Sequence, residues 1–198
     1  LLRLPINWSG IEPEEGQFDE AYLERIDEVL EHCRNAGIYV LLDYHQDAYS
    51  KEIGEDGAPY WAILPEPEHY LEGPLEDLDE RRASSQVLKA FSSFFDNADN
   101  LRDRFLPAVS LLAARYADDT TVIGYEIMNE PVALHVPGGL DKLYEFYEQV
   151  TATLREHDTM HTIWMEPDAS RNFLYTSEIR TRPFPDDKVV YTPHMYPN

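Results

Sequence analysis

Short runs of branched apolar residues alternate along the chain with longer amphipathic stretches. Short apolar runs of this kind, bounded by turn residues, are typical of strands that are buried in a parallel sheet. The predicted strands are Leu1–Ile6, Tyr39–Asp43, Val122–Met128, Thr162–Glu166 and Val189–Thr192.

The amphipathic stretches between these runs predict helices, because their apolar residues recur at a spacing near 3.6. The clearest helix is predicted over Asp19–Ala36, where Asp19 is a favourable N-cap and Gly37 a favourable stop. The same periodicity predicts helices over Leu101–Tyr116 and Leu140–His157.

Strands that alternate with helices predict a parallel α/β architecture, either a doubly wound sheet or a (β/α)8 barrel. A doubly wound sheet that binds a nucleotide carries a glycine-rich turn after its first strand, but only Gly138 and Gly139 are adjacent glycines here. Polar residues instead follow several different strands, which is the barrel pattern. These strand-end residues are His45, Glu130, Glu166 and His194.

The five predicted strands indicate part of a (β/α)8 TIM barrel that spans residues 1–198 as one domain. The chain begins inside one apolar run and stops just after another, so we expect a segment of a longer protein. One connection is unusually long and predicts an elaborated loop at about 46–81. Its aromatic residues either line a substrate groove or pack within the loop. They are Tyr49, Tyr60, Trp61 and Tyr70.

The chain is strongly acidic, with 38 Asp and Glu against 16 Lys and Arg and a formal charge of −22. This charge repels phosphate backbones and argues against a nucleic-acid partner. No apolar run is long enough for a membrane-spanning helix, so no integral membrane segment is expected. The single cysteine, Cys33, excludes an internal disulfide and is interpreted as a small hydrophobic residue.

The sharpest chemical motif is Ile127-Met128-Asn129-Glu130-Pro131, in which an apolar strand delivers an amide and a carboxyl group to its end. A partly desolvated carboxylic acid at such a place can hold a proton and donate it. The neighbouring amide of Asn129 can hydrogen-bond a sugar hydroxyl. The alternative is that Glu130 is a salt-bridged carboxylate of the strand end.

Several motifs together resemble glycoside hydrolase family 5, whose members are (β/α)8 retaining glycosidases. They occur in the family's order and cover residues 3 to 196. They are Arg3-Leu4-Pro5 with Trp8, the stretch 12–19, Leu41–Asp47, Asn129-Glu130-Pro131 and His194-Met195-Tyr196. The resemblance implies that residues 1–198 are a partial catalytic domain with about strands 2 to 6 of the family's barrel.

Within that family, the stretches 43–50, 56–62 and 94–97 resemble the endoglycoceramidase-like branch. The resemblance implies a retaining β-glycosidase that separates the glycan from the ceramide of glycosphingolipids, with a carbohydrate or glycolipid as its partner. It also implies a secreted protein without a cofactor.

The resemblance implies that Glu130 is the general acid and then the general base of a two-step reaction. It places the nucleophile beyond residue 198. Because three strands of the barrel are missing and sheet edges are open, we expect the isolated 198 residues to be unstable as well as inactive. Glu166 is the alternative nucleophile within the chain.

The resemblance assigns the remaining polar residues to the substrate site. Arg3 would hold the nucleophile ionised, and His45 and Asp47 would bind hydroxyls of the sugar. His194 and Tyr196 would flank the catalytic carboxylates. For each of these residues, packing or an ion pair within the barrel is the alternative.

Three other functions stay open at this point. One is a β-glucanase or β-glucosidase that acts on soluble glycans, and another is a non-catalytic carbohydrate-binding barrel. The third is a zinc site, but its candidate ligands lack the spacing of a metal motif, and no metal is expected. Those candidate ligands are His45, Asp47, His135, His161 and His194.

Overall fold

A computed structural model describes residues 1–70, 78–171 and 183–194, and five parallel strands form its sheet in the order in which they occur along the chain. The strands are β1 (Leu2–Ile6), β2 (Val40–Tyr44), β3 (Val122–Glu126), β4 (Thr162–Met165) and β5 (Val189–Tyr191). All five coincide with predicted strands.

The strand order separates the two predicted architectures. A doubly wound sheet reverses its strand order near the middle, whereas each strand of a barrel lies beside the next one in the sequence. Here β1 to β5 are neighbours in strict succession. The sheet is therefore built like part of a barrel wall.

Six helices are described between the strands, and all three predicted helices are among them. They are α1 (Trp8–Ile11), α2 (Glu20–Ala36), α3 (Leu78–Arg82), α4 (Ser85–Phe95), α5 (Leu101–Tyr116) and α6 (Gly139–Arg155). In α2, the Asp19 side chain accepts a hydrogen bond from the backbone N–H of Tyr22, and Gly37 ends the helix with a φ of 67°. No helix in these described ranges has the length and hydropathy that crossing a bilayer requires.

Helix α4 was not predicted, although its sequence carries the signals of a helix. Ser84 caps it, since its hydroxyl accepts the backbone N–H of Val87. Its buried side chains follow a helical spacing. They are Val87, Ala90, Phe91, Phe94 and Phe95.

The two faces of the sheet differ in chemistry. One face is apolar and joins the core of the protein, to which helices α2, α5 and α6 contribute. The other face carries charged residues: Asp43 on β2 lies opposite Glu126 on β3. On its other side, Asp43 lies opposite Pro5 of β1. Arg3 lies two residues before Pro5 and therefore on this charged face.

The connection after β2, described except for residues 71–77, packs partly on itself and partly against the α1 segment. Tyr49 is buried against Phe91, with ring centroids 5.1 Å apart, and the ring of Trp61 lies 4.9 Å from that of Trp8. Tyr60 and its neighbour Tyr70 contact each other and remain about half exposed, at 46% and 50%.

Candidate active site

The charged side chains gather where the parallel strands end. His45 and Asp47 follow β2, Asn129 and Glu130 follow β3, and Glu166 follows β4. Because all strands run in the same direction, their carboxyl ends meet at one edge of the sheet. His194, which follows β5, completes this cluster by contacting both Glu130 and Glu166.

The backbone of Glu130 is held in an uncommon conformation, with a φ of 42°. Two side chains from other segments fix it: Gln46 donates to the Glu130 carbonyl at 3.1 Å, and the Glu130 N–H donates to Glu166 Oε2 at 3.1 Å. A left-handed conformation costs a non-glycine residue about 1–3 kcal/mol and persists where its surroundings determine it. The loop thus fixes the direction of the Glu130 side chain.

Both carboxylate oxygens of Glu130 have polar partners. Oε1 lies 3.0 Å from His194 Nδ1, and Oε2 lies 3.4 Å from Arg82 Nη2. The Glu130 side chain is only 10% exposed, whereas that of His194 is 25% exposed. The carboxyl group is therefore largely desolvated but still reachable from one side.

Asn129 and Gln46 join the two strand-end loops. Asn129 Nδ2 donates to the Gln46 carbonyl at 2.8 Å, and Gln46 Nε2 donates to the Asn129 carbonyl at 2.6 Å. Asn129 Oδ1 accepts a hydrogen bond from Arg3 Nη2 at 2.9 Å. The orientation of Asn129 is therefore set by three hydrogen bonds across the site.

Arg3 lies among three buried carboxylates. Its Nε is 2.5 Å from Glu126 Oε2, and its Nη2 is 3.2 Å from Asp43 Oδ2 and 3.3 Å from Glu166 Oε1. A single guanidinium thus faces several acids, so part of the carboxylate charge must be relieved by protons.

Glu166 is the group that holds such a proton. Burial first, and then the nearby charge of Glu126, raise the pKa of Glu166 to about 9, despite the hydrogen bond from the Glu130 N–H and the charge of Arg3. At neutral pH its carboxyl is therefore largely neutral. His194 Nε2 lies 3.1 Å from Glu166 Oε1, so the imidazole bridges Glu130 and Glu166.

His45 is held between two aspartates. Its Nδ1 lies 2.7 Å from Asp43 Oδ2 and its Nε2 lies 3.2 Å from Asp47 Oδ2. Burial alone would lower the pKa of His45, but the hydrogen bonds to the two carboxylates outweigh it and raise that pKa to about 9. The imidazole is thus positively charged at neutral pH and donates from both nitrogens.

Asp47 in turn contacts a second cation. Arg82 Nη2 lies 2.6 Å from Asp47 Oδ1, and Arg82 Nε donates to the Asp47 carbonyl at 3.1 Å. The hydrogen bond from His45, together with Arg82, lowers the pKa of Asp47. Asp47 therefore remains an ionised acceptor.

The structure brings together every predicted site residue that it describes, and Tyr196 lies outside the described residues. The grouped residues are Arg3, His45, Asp47, Asn129, Glu130 and His194. Sequence reasoning missed four partners at the same edge. They are Asp43, Gln46, Arg82 and Glu126. Asp43 and Gln46 flank His45 and Glu126 precedes Asn129 closely, but no local pattern singles out Arg82.

The five residues considered as zinc ligands do not form one cluster in the described ranges. His135 lies 3.1 Å from Ser92, and His161 lies 2.5 Å from Asp158. One trio has ligand atoms within 4.8 Å of one another. It consists of Glu126, Glu166 and His194. Arg3 already contacts both carboxylates of that trio.

Comparison with known proteins assigns the geometry to a family. The family described as Cellulase (glycosyl hydrolase family 5) matches residues 1–198. An endogalactoceramidase crystal structure, 30% identical in sequence, superposes with a TM-score of 0.86 and covers 98% of this chain and 47% of its own. The likeness confirms the predicted partial (β/α)8 barrel.

Two further proteins are similar over nearly the whole chain. Endoglycoceramidase I from Rhodococcus hoagii (strain 103S) is 29% identical, over 98% of this chain and 42% of its own length. Endo-glycoceramidase II from Rhodococcus sp., in complex with ganglioside GM3, is 25% identical with a TM-score of 0.83, over 98% of this chain and 48% of its own. The chain thus spans less than half the length of these relatives.

Proposed function

The chain belongs to glycosyl hydrolase family 5, and on that premise we propose that the protein is a retaining β-glycosidase that cleaves the bond between the glycan and the ceramide of glycosphingolipids. The similarity to an endoglycoceramidase and to a ganglioside-bound relative supports this substrate class. The observation that carries the reaction class is the Glu130 carboxyl, desolvated at a strand end and held between His194 and Arg82.

Glu130 acts first as the proton donor. In the first step, a nucleophilic carboxylate attacks the anomeric carbon while Glu130 gives its proton to the departing ceramide oxygen. In the second step, the ionised Glu130 takes a proton from a water molecule, which attacks the same carbon and releases the glycan. Its near-burial and its fixed backbone favour a single orientation for both transfers.

The nucleophile is contributed by residues beyond 198. Glu166 is unsuited to that part, because a carboxyl whose pKa is raised to about 9 is mostly protonated at neutral pH and is then a poor nucleophile. Arg3 faces the carboxylates at the centre of the site, and its positive charge favours the ionised form of the nucleophilic carboxylate.

His45, Asp47 and Asn129 bind the sugar in the cleavage subsite. Asp47 is an ionised acceptor for a sugar hydroxyl. His45 keeps its Nδ1–H on Asp43, and its longer bond, from Nε2 to Asp47 at 3.2 Å, is the one that a sugar hydroxyl replaces. Asn129 adds an amide fixed by Arg3 and Gln46. Contacts of this kind to a hydroxyl strengthen as charge develops at the transition state.

The test compares glycosidic substrates in the full-length protein. The wild type is expected to release the glycan from ganglioside GM3 much faster than it cleaves cellopentaose. Glu130→Gln is expected to lower turnover by roughly 10²–10⁴-fold without unfolding the protein, as removal of a general acid does. Glu156→Gln serves as the matched control, because Glu156 is an exposed glutamate at the carboxyl end of α6.

Normal turnover by Glu130→Gln would contradict the assignment of the proton donor. Faster cleavage of cellopentaose than of GM3 would reject the glycolipid substrate but keep the glycosidase. Binding of glycans by the wild type without any turnover would leave only a carbohydrate-binding barrel.

A further inference from the structure

Arg82 enters the candidate active site from outside the strand ends. It is the last residue of α3, on the long connection between β2 and β3, and none of the motifs that resemble the family includes it. Its guanidinium nevertheless contacts Glu130 directly. A cation in contact with the proton donor requires an explanation in terms of the reaction.

Two contacts to Asp47 fix the position of this guanidinium. Nη2 is 2.6 Å from Asp47 Oδ1, and Nε donates to the Asp47 carbonyl at 3.1 Å. Contacts to both the side chain and the backbone of one residue restrain a planar guanidinium far better than a single ion pair does. The same Nη2 is then placed 3.4 Å from Glu130 Oε2.

The groups around Glu130 have opposing effects on its charge. His194 faces Oε1, Arg82 faces Oε2, and the carboxyl of Glu166 accepts the backbone N–H. On the far side of Arg82, Asp47 carries a negative charge and is bonded to the charged His45. Burial of Glu130 favours its neutral form, whereas an adjacent guanidinium favours the ionised form.

This balance matters because the proposed reaction needs both forms in turn. The residue must be protonated when the leaving group departs and ionised when water attacks. A general acid–base residue works best when neither form is strongly favoured at the working pH.

We propose that Arg82 is a positioning residue for the acid–base group: held by Asp47, it orients the Glu130 carboxylate and stabilises its ionised form for the hydrolytic half of the reaction. The inference rests on the function proposed above and extends it to a residue of the long connection. Arg82 acts through Glu130 and takes no proton itself.

The experiment measures kcat/KM for GM3 hydrolysis against pH in the full-length protein. Arg82→Gln removes the charge, and Arg82→Lys keeps the charge but loses the planar fork. Arg81→Gln is the matched control, because the neighbouring Arg81 points instead to the carbonyl of Gly54, at 3.4 Å.

Arg82→Gln is expected to move the alkaline limb of the profile to higher pH by about 0.5–1 unit, because the neutral acid persists longer without the nearby cation. Arg82→Lys is expected to keep the limb near its wild-type place and to lower kcat. Arg81→Gln should reproduce the wild-type profile.

An unshifted limb in Arg82→Gln overturns the positioning role, even when turnover falls, since a purely structural loss lowers the whole profile without moving it. If Arg82→Gln does not fold, Arg82→Lys decides the question, because it retains the charge. An alkaline limb displaced to higher pH in Arg82→Lys overturns the role, and an unmoved limb with lower kcat supports it. A wild type that turns over no glycoside defeats the proposed function, and the role of Arg82 with it.

Discussion

The two ends of the sheet both bury a carboxylate beside a histidine, yet they treat it in opposite ways. At the end where the strands begin, Asp158 accepts hydrogen bonds from Tyr125 Oη at 2.8 Å, from the backbone of Met160 and from the backbone and ring of His161. Burial would raise the pKa of Asp158, but these hydrogen bonds outweigh it and lower that pKa.

At the end where the strands stop, the acids are crowded instead of matched with donors. Burial raises the pKa of Asp43 despite the hydrogen bond to His45, and Oδ1 of Asp43 has no hydrogen-bond partner within the described part of the chain. Glu166 has its pKa raised to about 9 by burial and by Glu126.

This contrast separates structural charge from functional charge. A buried carboxylate that is fully matched with donors stabilises the fold, whereas several acids brought together without enough donors oppose folding and are typical of sites that move protons. The same barrel wall therefore has a stabilising edge and a reactive edge.

The contrast also predicts opposite responses to pH. Because the pKa of Asp158 is lowered on folding, its contribution is present above the unfolded value of about 3.8 and is lost as the pH falls through the folded pKa. Glu166 and His45 have raised pKa values, so stability associated with them falls as the pH rises towards about 9.

The largest expected effect on stability is at the donor-matched edge. Asp158→Ala leaves the Tyr125 hydroxyl and the His161 N–H groups buried without their acceptor, so the free energy of unfolding should fall by about 3–5 kcal/mol. Urea denaturation of the full-length protein measures it, with the exposed Asp187→Ala as the control. A loss below about 1 kcal/mol would remove the contrast between the two edges.

At the reactive edge, Glu166→Gln should change how the free energy of unfolding depends on pH more than it changes that free energy at neutral pH. The native state retains a proton on Glu166 that the unfolded state releases above about pH 4.5, so wild-type stability declines towards pH 9. The neutral amide removes this decline, and the variant should be more stable than the wild type at pH 9 by about 1–2 kcal/mol. If the free energy of unfolding has the same slope against pH in the variant and the wild type, Glu166 is ionised in the folded protein. The exposed Glu156→Gln variant is the control.

A smaller effect is expected for His45→Gln. The charged imidazole stabilises Asp43 and Asp47, so the variant should lose about 1 kcal/mol at pH 6. The loss should shrink as the pH rises from 6.5 to about 9, where the wild-type ring gives up its proton. Thermal unfolding at both pH values tests this, and a loss that stays constant with pH would mean that the ring is neutral throughout.

The smallest effect is expected for an exposed ion pair on the surface. Arg34 lies 2.6 Å from Asp119, but its side chain is 51% exposed. Exposed pairs contribute about 0–1 kcal/mol, so Arg34→Gln should change the free energy of unfolding by less than about 1 kcal/mol. A larger loss in the same denaturation experiment would mean that exposed charges rank with the buried ones.

The strands and the long helices could be predicted from the sequence because their signals are local. Apolar periodicity, the Asp19 cap and the Gly37 stop all lie within a few residues of the elements that they define. Helix α4 carried such signals as well, in the Ser84 cap and the apolar spacing, but it follows the predicted loop of about 46–81 and no helix was predicted there.

The site was only partly predictable, since its geometry joins residues that are far apart in the sequence. Arg3 and Glu126 are 123 residues apart, and Arg82 reaches Asp47 across 35. Glu130 and His194 stand in motifs that resemble a family, whereas Arg82 stands in none. Its place in the site depends on how the long connection folds back over the sheet.

The most direct test of the reactive edge concerns the proton on Glu130. The full-length Glu130→Gln variant is compared on two lactosides, GM3-type glycolipid and an aryl lactoside whose phenol leaves without protonation. On the glycolipid, the variant is expected to lose roughly 10²–10⁴-fold in turnover. On the aryl lactoside, it is expected to release a burst of phenolate at close to the wild-type rate, because this leaving group needs no proton. An equal loss on both substrates would contradict the assignment of Glu130 as the proton donor.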